Sequence, residues 1–374
     1  MMTDLKSLKS LKLYQILISL SAFFIIIFMM TLNEPRIHGS PNSVKLPDMK
    51  STPSRNIIAI LTIVKSNSDR ARYKTAMDSM ECYALQNNYT YLQLYGENFK
   101  TICEQKDIYF QRHCIVAHIL RIHHYRWVLL LDADVGVVNE KRRLEEYIKE
   151  EADIILYDRF LSFQVAAGSY FAKKSNFSVV FLRGWADYSF RLPKSYRTRD
   201  NDAIHMWLVE LIAPNAPLAP VCWLLWRRAR DITSIQHFTV CCREAIKDAA
   251  CPQILIYKRG EGWVRDGWLT NSHWNLQRDF MFHGLKERDK KRFNIGQKNV
   301  LNGPKFYPWF NTLKTPLELD KCKEGKQIWN HEAALVTNKQ TIDLHLERLK
   351  RSKEQDYQKE VRLVQKFADG TNLM

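Results

Sequence analysis

The chain has 374 residues, of which 46% are hydrophobic and 12% aromatic, and this composition excludes an intrinsically disordered protein. The length fits one sizeable α/β domain with appendages better than a single small module or three ordinary domains. A formal net charge of +16 is compatible with nucleic acid, an anionic membrane, or a phosphate-bearing or acidic substrate, so charge alone does not identify the partner.

An apolar segment near the N-terminus predicts a membrane anchor. Residues 13–32, LYQILISLSAFFIIIFMMTL, contain no charged residue and are long enough to cross the ~30 Å hydrocarbon core as a helix. The lysines Lys6, Lys9 and Lys12 precede this segment and place the N-terminus in the cytosol. A cleaved signal peptide is the alternative, but the apolar core of a signal peptide is usually only about 7–15 residues long and is followed by a small-x-small cleavage site. The apolar segment here is longer, and no such site follows it. We therefore predict a cytosolic tail at 1–12, a transmembrane signal anchor at 13–32, and a lumenal remainder.

A lumenal location determines how the cysteines and sequons are interpreted. The chain has eight cysteines, enough for four disulfides, although their pairing cannot be deduced from the sequence. No Cys-x-x-Cys pair is present, which argues against a zinc site. Asn88 and Asn176 begin the sequons NYT and NFS and are predicted N-glycosylation sites.

The predicted catalytic domain opens with a strand–helix–strand unit. Residues 33–55 are rich in proline, serine and charge, as in a flexible stem. Residues 56–64 then form a β-branched run typical of a buried parallel strand. Residues 70–86 have helical spacing, and 91–95 offer another strand. This order predicts a βαβ beginning.

The alternation of helices and strands continues along the chain. An apolar stripe predicts a helix at 108–123, and it leads into the central strand at 127–131. A charged segment at 140–150 predicts a further helix, and 153–157 predicts a further strand. The expected class is α/β with a mixed sheet.

The pattern loosens towards the C-terminus. We assign 56–300 to the catalytic domain and 301–374 to a C-terminal extension. Within that extension, 341–367 predicts a long charged helix that packs on the domain through one narrow apolar stripe.

Two carboxylates follow the central strand in the segment LLLDADV. Asp132 and Asp134 lie at the carboxyl end of that strand, where open α/β sheets bind ligands. Side chains at i and i+2 of an extended chain project to the same side, so the two could share one divalent cation. The alternative is a pair of solvated loop carboxylates that cap the next helix.

Six motifs extend this pattern into a family resemblance. They are AILT, YFQRHCIVAHIL, LLLDADV, VAAGSYFAK, RDNDAIHMW and GWVRDGWLTNSHWNLQRDFMFHGLK. The chain resembles the GT-A glycosyltransferases, is similar to glycosyltransferase family 34, the galactosyl- and mannosyl-transferase group, and is closer still to a nematode-expanded domain family of unknown function related to it. The resemblance covers roughly residues 56–295. It implies a nucleotide-diphospho-sugar transferase fold, with a mixed, mainly parallel sheet flanked by helices.

The resemblance also implies a metal site and a diphosphate contact. His283, in FMFHGLK, matches the histidine that joins the aspartates Asp132 and Asp134 on the metal. Two carboxylates and an imidazole suit Mn²⁺ better than Ca²⁺. Lys286 would then contact the diphosphate. From the residues alone, a buried core histidine beside Phe280 and Phe282 is the favoured interpretation of His283.

Other matched residues are expected around the donor. Thr62, in the first-strand motif, and Arg112, before the metal strand, are implied donor contacts, although a surface position is the alternative for Arg112. The small residues Ala167, Gly168 and Ser169 are implied to line the donor sugar pocket, or else they form an ordinary turn.

A second acidic segment is implied to hold sugar hydroxyls near the reacting carbon. It comprises Asp200, Asn201 and Asp202, with asparagine where relatives carry glutamine. These residues also suit the N-terminus of a helix.

The function implied by the resemblance is metal-dependent and retaining transfer of a hexose or pentose. The donor would be a UDP- or GDP-sugar and the acceptor a glycan or glycoprotein, within a single-pass type II protein of the Golgi membrane. A catalytically inactive sugar-binding or scaffold protein of the same fold is the alternative. Nucleic acid is not an expected partner of a lumenal domain.

Overall fold

A computed structural model describes residues 57–196, 199–291, 301 and 308–371, all within one compact unit that spans Ser51–Met374. The predicted tail, anchor and stem (1–12, 13–32 and 33–55) lie outside the described residues. No helix in the described part of the chain is long and apolar enough to cross a membrane.

The strands form one large sheet and two small ones. In chain order the described strands are β1 (Ile58–Val64), β2 (Thr90–Tyr95), β3 (Trp127–Leu131), β4 (Val135–Val137), β5 (Ile154–Tyr157), β6 (Ser169–Lys173), β7 (Ile254–Tyr257), β8 (Val264–Asp266), β9 (Met281–His283), β10 (Lys290–Lys291) and β11 (Trp309–Phe310). The large sheet has the order β2-β1-β3-β6-β5-β7, and the small sheets are β4-β9-β8 and β10-β11. In the large sheet β6 runs antiparallel to both β3 and β5, whereas the other pairs are parallel. The fold is therefore mixed α/β with a largely parallel central sheet, as the sequence predicted.

Helices flank the sheets. The described α-helices are α1 (Lys74–Asn87), α2 (Ile108–Ile122), α3 (Asn176–Asp187), α4 (Asp200–Ile212), α5 (Ala219–Arg228), α6 (Ile232–Ile246), α7 (Leu319–Lys323) and α8 (Lys339–Thr371). Asp107 begins α2 by accepting a hydrogen bond from the Tyr109 N–H. The helix α1 ends at Asn88, whose backbone is in the left-handed conformation with φ 59°.

The central strand β3 has the predicted bounds, and its five residues are all buried. Leu131 lies opposite Thr62 of β1 on one side and Ser169 of β6 on the other. Consequently, the chain leaves the sheet at Asp132 between the end of β1 and the beginning of β6, and the site described below is built there.

The prediction of a helix at 140–150 is wrong. The segment contains only a 3₁₀ turn at Leu144–Tyr147. Leu144 and Tyr147 are buried, and the Tyr147 ring stacks on Phe280 with a centroid distance of 5.9 Å. Burial of these two side chains in the core overrides the local helical preference of a charged segment.

The C-terminal extension belongs to the same compact unit as the predicted catalytic domain. The predicted helix at 341–367 is observed as the longer α8, whose Ile342 and Leu346 are buried in a cluster with Phe160 and Leu269. Val364 is buried further along the same helix. The apolar stripe therefore attaches α8 to the domain.

Six of the eight cysteines form disulfides. The pairs are Cys82–Cys322, Cys103–Cys114 and Cys222–Cys241, whereas Cys242 and Cys251 are free thiols. The structure therefore forms three of the four bridges that the cysteine count allowed. The first pair joins α1 to α7 across 240 residues of sequence and so ties the extension to the domain.

Candidate metal centre and active-site cavity

Three predicted metal ligands come together at the end of β3. One ligand atom from each of Asp132, Asp134 and His283 lies within 4.8 Å of the others. Val135 pairs with His283 across β4 and β9, and the backbone oxygen of Asp134 accepts hydrogen bonds from the N–H groups of Gly284 (3.1 Å) and Leu285 (2.9 Å). This pairing brings together residues that are far apart in the sequence. The group could hold a metal ion.

The imidazole of His283 is oriented by a further carboxylate that the sequence analysis missed. Its Nδ1 lies 2.6 Å from Oδ1 of Asp266, and its Nε2 lies 3.4 Å from Oδ1 of Asp134. Burial alone would lower the pKa of His283, but the charges of Asp134 and Asp266 outweigh burial and raise it to about 9. A histidine whose second nitrogen binds a carboxylate is the usual arrangement at a metal site.

Asp266 could be found only from the structure. It lies opposite His283 because β8 and β9 pair in parallel register. No pattern in the sequence reveals that register, since both strands are only three residues long.

Gly168 makes room for the first aspartate. The Asp132 N–H donates to the Gly168 carbonyl at 2.7 Å, and a Cβ built on Gly168 would lie 1.8 Å from Oδ2 of Asp132. No side chain fits in that space, so this glycine is a steric requirement of the observed carboxylate position.

Arg112 connects the metal group to the second acidic segment. Its guanidinium is buried, contacts Asp132 Oδ1, and lies 2.5 Å from Asp200 Oδ2. His113 also contacts Asp200 at 3.3 Å, and its ring stacks on Trp185 with a centroid distance of 3.6 Å. Burial lowers the pKa of His113 to about 4, so this imidazole is neutral at physiological pH. Arg112 is therefore not the surface arginine of the alternative interpretation.

A cavity of about 490 Å³ opens above the metal group. It contains most of the site residues predicted from the sequence, and those that line it are Arg112, Asp132, Asp134, Ala167, Gly168, Ser169, Asp200, Asn201, His283 and Lys286. The Lys286 Nζ lies 3.5 Å from Oδ2 of Asp134 and is partly exposed.

Two predicted site residues lie outside the lining of this cavity. Thr62 is buried in the sheet, and its hydroxyl accepts a hydrogen bond from Tyr91 at 3.1 Å. The first-strand segment contributes Ile63, Val64 and Lys65 to the lining instead. From this segment Lys65, and not Thr62, is therefore open to a ligand in the cavity.

Asp202 is the second of these residues. Its carboxylate accepts hydrogen bonds from the Arg199 N–H (3.1 Å) and from Gln164 Nε2 (2.9 Å), which is the helix-capping role that the sequence also allowed. Burial raises the pKa of Asp202 to about 7. The neighbouring Asn201 does line the cavity, and its Oδ1 lies 3.3 Å from the Ala167 N–H.

Three basic residues in the lining form no ion pair with the described part of the chain. They are Lys65, Arg159 and Arg199, none of which was predicted as a site residue from the sequence. Arg199 lies over the ring of Tyr109 at 4.8 Å from its centroid. Together with Lys286, these side chains can bind an anionic ligand.

The two predicted glycosylation residues are on the surface. Asn88 follows α1 and Asn176 begins α3, and both side chains are exposed. Their modification stays a prediction.

Residues 80–300 match a protein family described as DUF273, protein of unknown function. The match covers more than half of the chain, and the chain belongs to that family. A comparison with curated proteins finds no match.

Among solved structures, the chain is similar to a glycosyltransferase involved in the glycosylation of the major capsid of PBCV-1. The identity is 12% and the TM-score 0.31, over 60% of this chain and 92% of that one. A second similar structure is A197 from STIV, with 12% identity and a TM-score of 0.24 over 39% of this chain and 75% of that one. Likenesses this slight carry no argument about function.

Proposed function

We propose that the chain is a metal-dependent glycosyltransferase that uses a nucleotide-sugar donor. The observation that carries the proposal is the convergence of Asp132, Asp134 and His283 at one end of a cavity, with Asp266 behind the histidine. The volume of about 490 Å³ lies within the range of small-molecule sites. The family resemblance of the six sequence motifs supports the same activity.

The donor set of this group fits a divalent transition metal. Two carboxylates and one imidazole would hold Mn²⁺, with room for oxygen ligands from a diphosphate. When bound, such a cation would act as a Lewis acid that stabilises the charge on a departing nucleoside diphosphate.

The chain's own residues have separate roles in this proposal. Lys286, Lys65 and Arg159 bind the diphosphate oxygens and so stabilise the charge that develops on them. The small residues Ala167 and Gly168 let the donor sugar approach the backbone.

In the transfer itself, an acceptor oxygen replaces the diphosphate oxygen on the anomeric carbon. The bond to the diphosphate breaks with its electron pair on that leaving group, and the proton of the acceptor hydroxyl passes to the departing diphosphate. Asp200 and Asn201 lie in the cavity lining, where they can hold sugar hydroxyls.

The identity of the donor, the stereochemistry, the acceptor and the cellular location are inferred from the sequence. We infer a UDP- or GDP-linked hexose or pentose as donor, retention of configuration, and a glycan or glycoprotein acceptor. We also infer a type II location in the Golgi membrane, from the apolar segment at 13–32 and the lysines before it.

The proposal is tested by donor hydrolysis and transfer with the full chain in mild detergent, Mn²⁺ and a panel of UDP- and GDP-sugars. Asp134→Asn removes a metal ligand, and Asp320→Asn is the matched control because the side chain of Asp320 is 94% exposed. We expect Mn²⁺-dependent hydrolysis of one donor that Asp134→Asn abolishes and Asp320→Asn retains. Donor binding without any turnover would support the inactive sugar-binding alternative, and no response to any donor would refute the proposal.

A further inference from the structure

The cavity of about 490 Å³ above the metal group is called the donor cavity below. A second cavity, which we call the α8 groove, lies beside it. It has a volume of about 900 Å³ and lies between the beginning of α8 and the loops on either side of β8. The two cavities share Phe160, Gly260 and Arg278 in their linings, so they lie side by side. Gly260 has φ +87°, a backbone conformation that L side chains rarely adopt, and a Cβ there would lie 3.3 Å from Phe160 and 3.8 Å from Arg278.

The charges in the α8 groove are largely balanced within the protein. Four basic and three acidic side chains line the groove. Asp343 is bridged by Arg278, at 2.8 Å, and by Lys339. The Arg259 guanidinium donates to backbone carbonyls, including that of Arg159 at 2.8 Å. A groove with this charge pattern offers little attraction to a strongly charged ligand.

Neutral groups remain available to a ligand. Gln277 and Gln340 are exposed, and the structure gives their side-chain amides no hydrogen bond to the described residues. Leu276 and Leu344 line the same groove with 41% and 54% of their surface exposed. Amides can donate to and accept from hydroxyl groups, and leucines can pack against the apolar faces of sugar rings.

From this geometry we propose that the α8 groove binds the acceptor as a neutral oligosaccharide. The inference rests on the proposed function, because a glycosyl acceptor must lie next to the donor sugar, and the groove lies beside the donor cavity. The α8 helix is then a part of the substrate site as well as an element that packs on the domain.

The experiment blocks the groove without touching the donor cavity. Gln340→Trp places a bulky ring on an exposed position of the groove. Gln355→Trp is the matched control, because Gln355 is exposed on the same helix but lies about 22 Å further along it. The full chain and both variants, in mild detergent, are applied to a printed array of neutral and acidic oligosaccharides, and Mn²⁺-dependent donor binding is measured in parallel.

We expect neutral oligosaccharides to bind the native chain and the Gln355→Trp variant, and to bind Gln340→Trp at least about tenfold more weakly. Donor binding should be the same in all three. The milder Gln277→Ala variant should weaken binding in the same direction, and thermal unfolding would identify any variant that fails to fold. Equal binding by Gln340→Trp, preference for acidic glycans, or no binding to any glycan would overturn the proposal. Absence of Mn²⁺-dependent donor binding in the native chain would instead count against the proposed function.

Discussion

The substitution Gly168→Ala should damage the metal site while leaving the fold intact. The added Cβ would lie 1.8 Å from Oδ2 of Asp132, whereas real Cβ contacts are essentially never shorter than 3.0 Å. The carboxylate must therefore move by about 1.2 Å, the difference between these two distances. Metal–ligand distances tolerate only about ±0.2 Å, so Asp132 would no longer serve as a ligand in its native position.

The expected loss follows from that displacement. Altering a group that merely orients a metal ligand costs about 10–100-fold in affinity, so displacing a ligand should cost at least about 100-fold for Mn²⁺. The overlap is with the end of a side chain rather than with backbone, so we expect a loss of only about 1–3 kcal/mol in the unfolding free energy.

Isothermal titration with Mn²⁺ and denaturant unfolding separate the two effects. Gly370→Ala is the matched control, because a Cβ there meets nothing within 4 Å, and it should change stability by no more than about 1 kcal/mol. A folded Gly168→Ala protein that binds Mn²⁺ as tightly as the native chain would refute the steric argument.

Three further changes have distinct expected outcomes. Asp266→Asn removes the carboxylate that contacts His283 Nδ1, so calorimetry should show Mn²⁺ affinity falling about 10–100-fold, and an unchanged affinity would contradict an orienting role. The pKa of Asp202 is about 7 in the folded chain, against 3.8 for an ordinary aspartate, so the folded state retains a proton that the unfolded chain releases. The unfolding free energy should therefore fall by roughly 4 kcal/mol at most as pH rises from about 4 to 7. In denaturation measured across this pH range, Asp202→Asn should flatten the profile. The control Asp320→Asn, at an exposed side chain, should leave the profile unchanged. Replacing both cysteines of Cys82–Cys322 by alanine should cost about 3 kcal/mol more in chemical denaturation than the same change at Cys103–Cys114, because the first bridge closes 240 residues and the second 11. Equal losses would show that loop entropy is not the main contribution.

Strong periodic patterns allowed part of this fold to be predicted. The run at 127–131 is apolar throughout because β3 is buried on both faces, and its predicted bounds are those observed. Asp132 and Asp134 were predictable as a pair because they follow that run directly. His283 came from the family resemblance, and the structure confirms that it lies beside both aspartates.

Other features depend on contacts that one sequence does not reveal. Asp266 reaches His283 through the pairing of two three-residue strands. Cys241 forms the bridge to Cys222 while its neighbour Cys242 stays free, a choice set by how α5 and α6 pack. The charged segment at 140–150 favours a helix by its local composition, but its Leu144 and Tyr147 are buried in the core, and those contacts are not visible in the sequence.

The proposed function requires Asp132, Asp134 and His283 to bind a divalent metal together with a nucleoside diphosphate. It is tested most directly by an anomalous difference map from crystals of the protein grown with Mn²⁺ and UDP or GDP. We expect a manganese peak in contact with these three side chains, with diphosphate oxygens beside it and near Lys286. Manganese bound elsewhere, or a nucleotide bound in this cavity without metal, would contradict the assignment of these three residues as metal ligands.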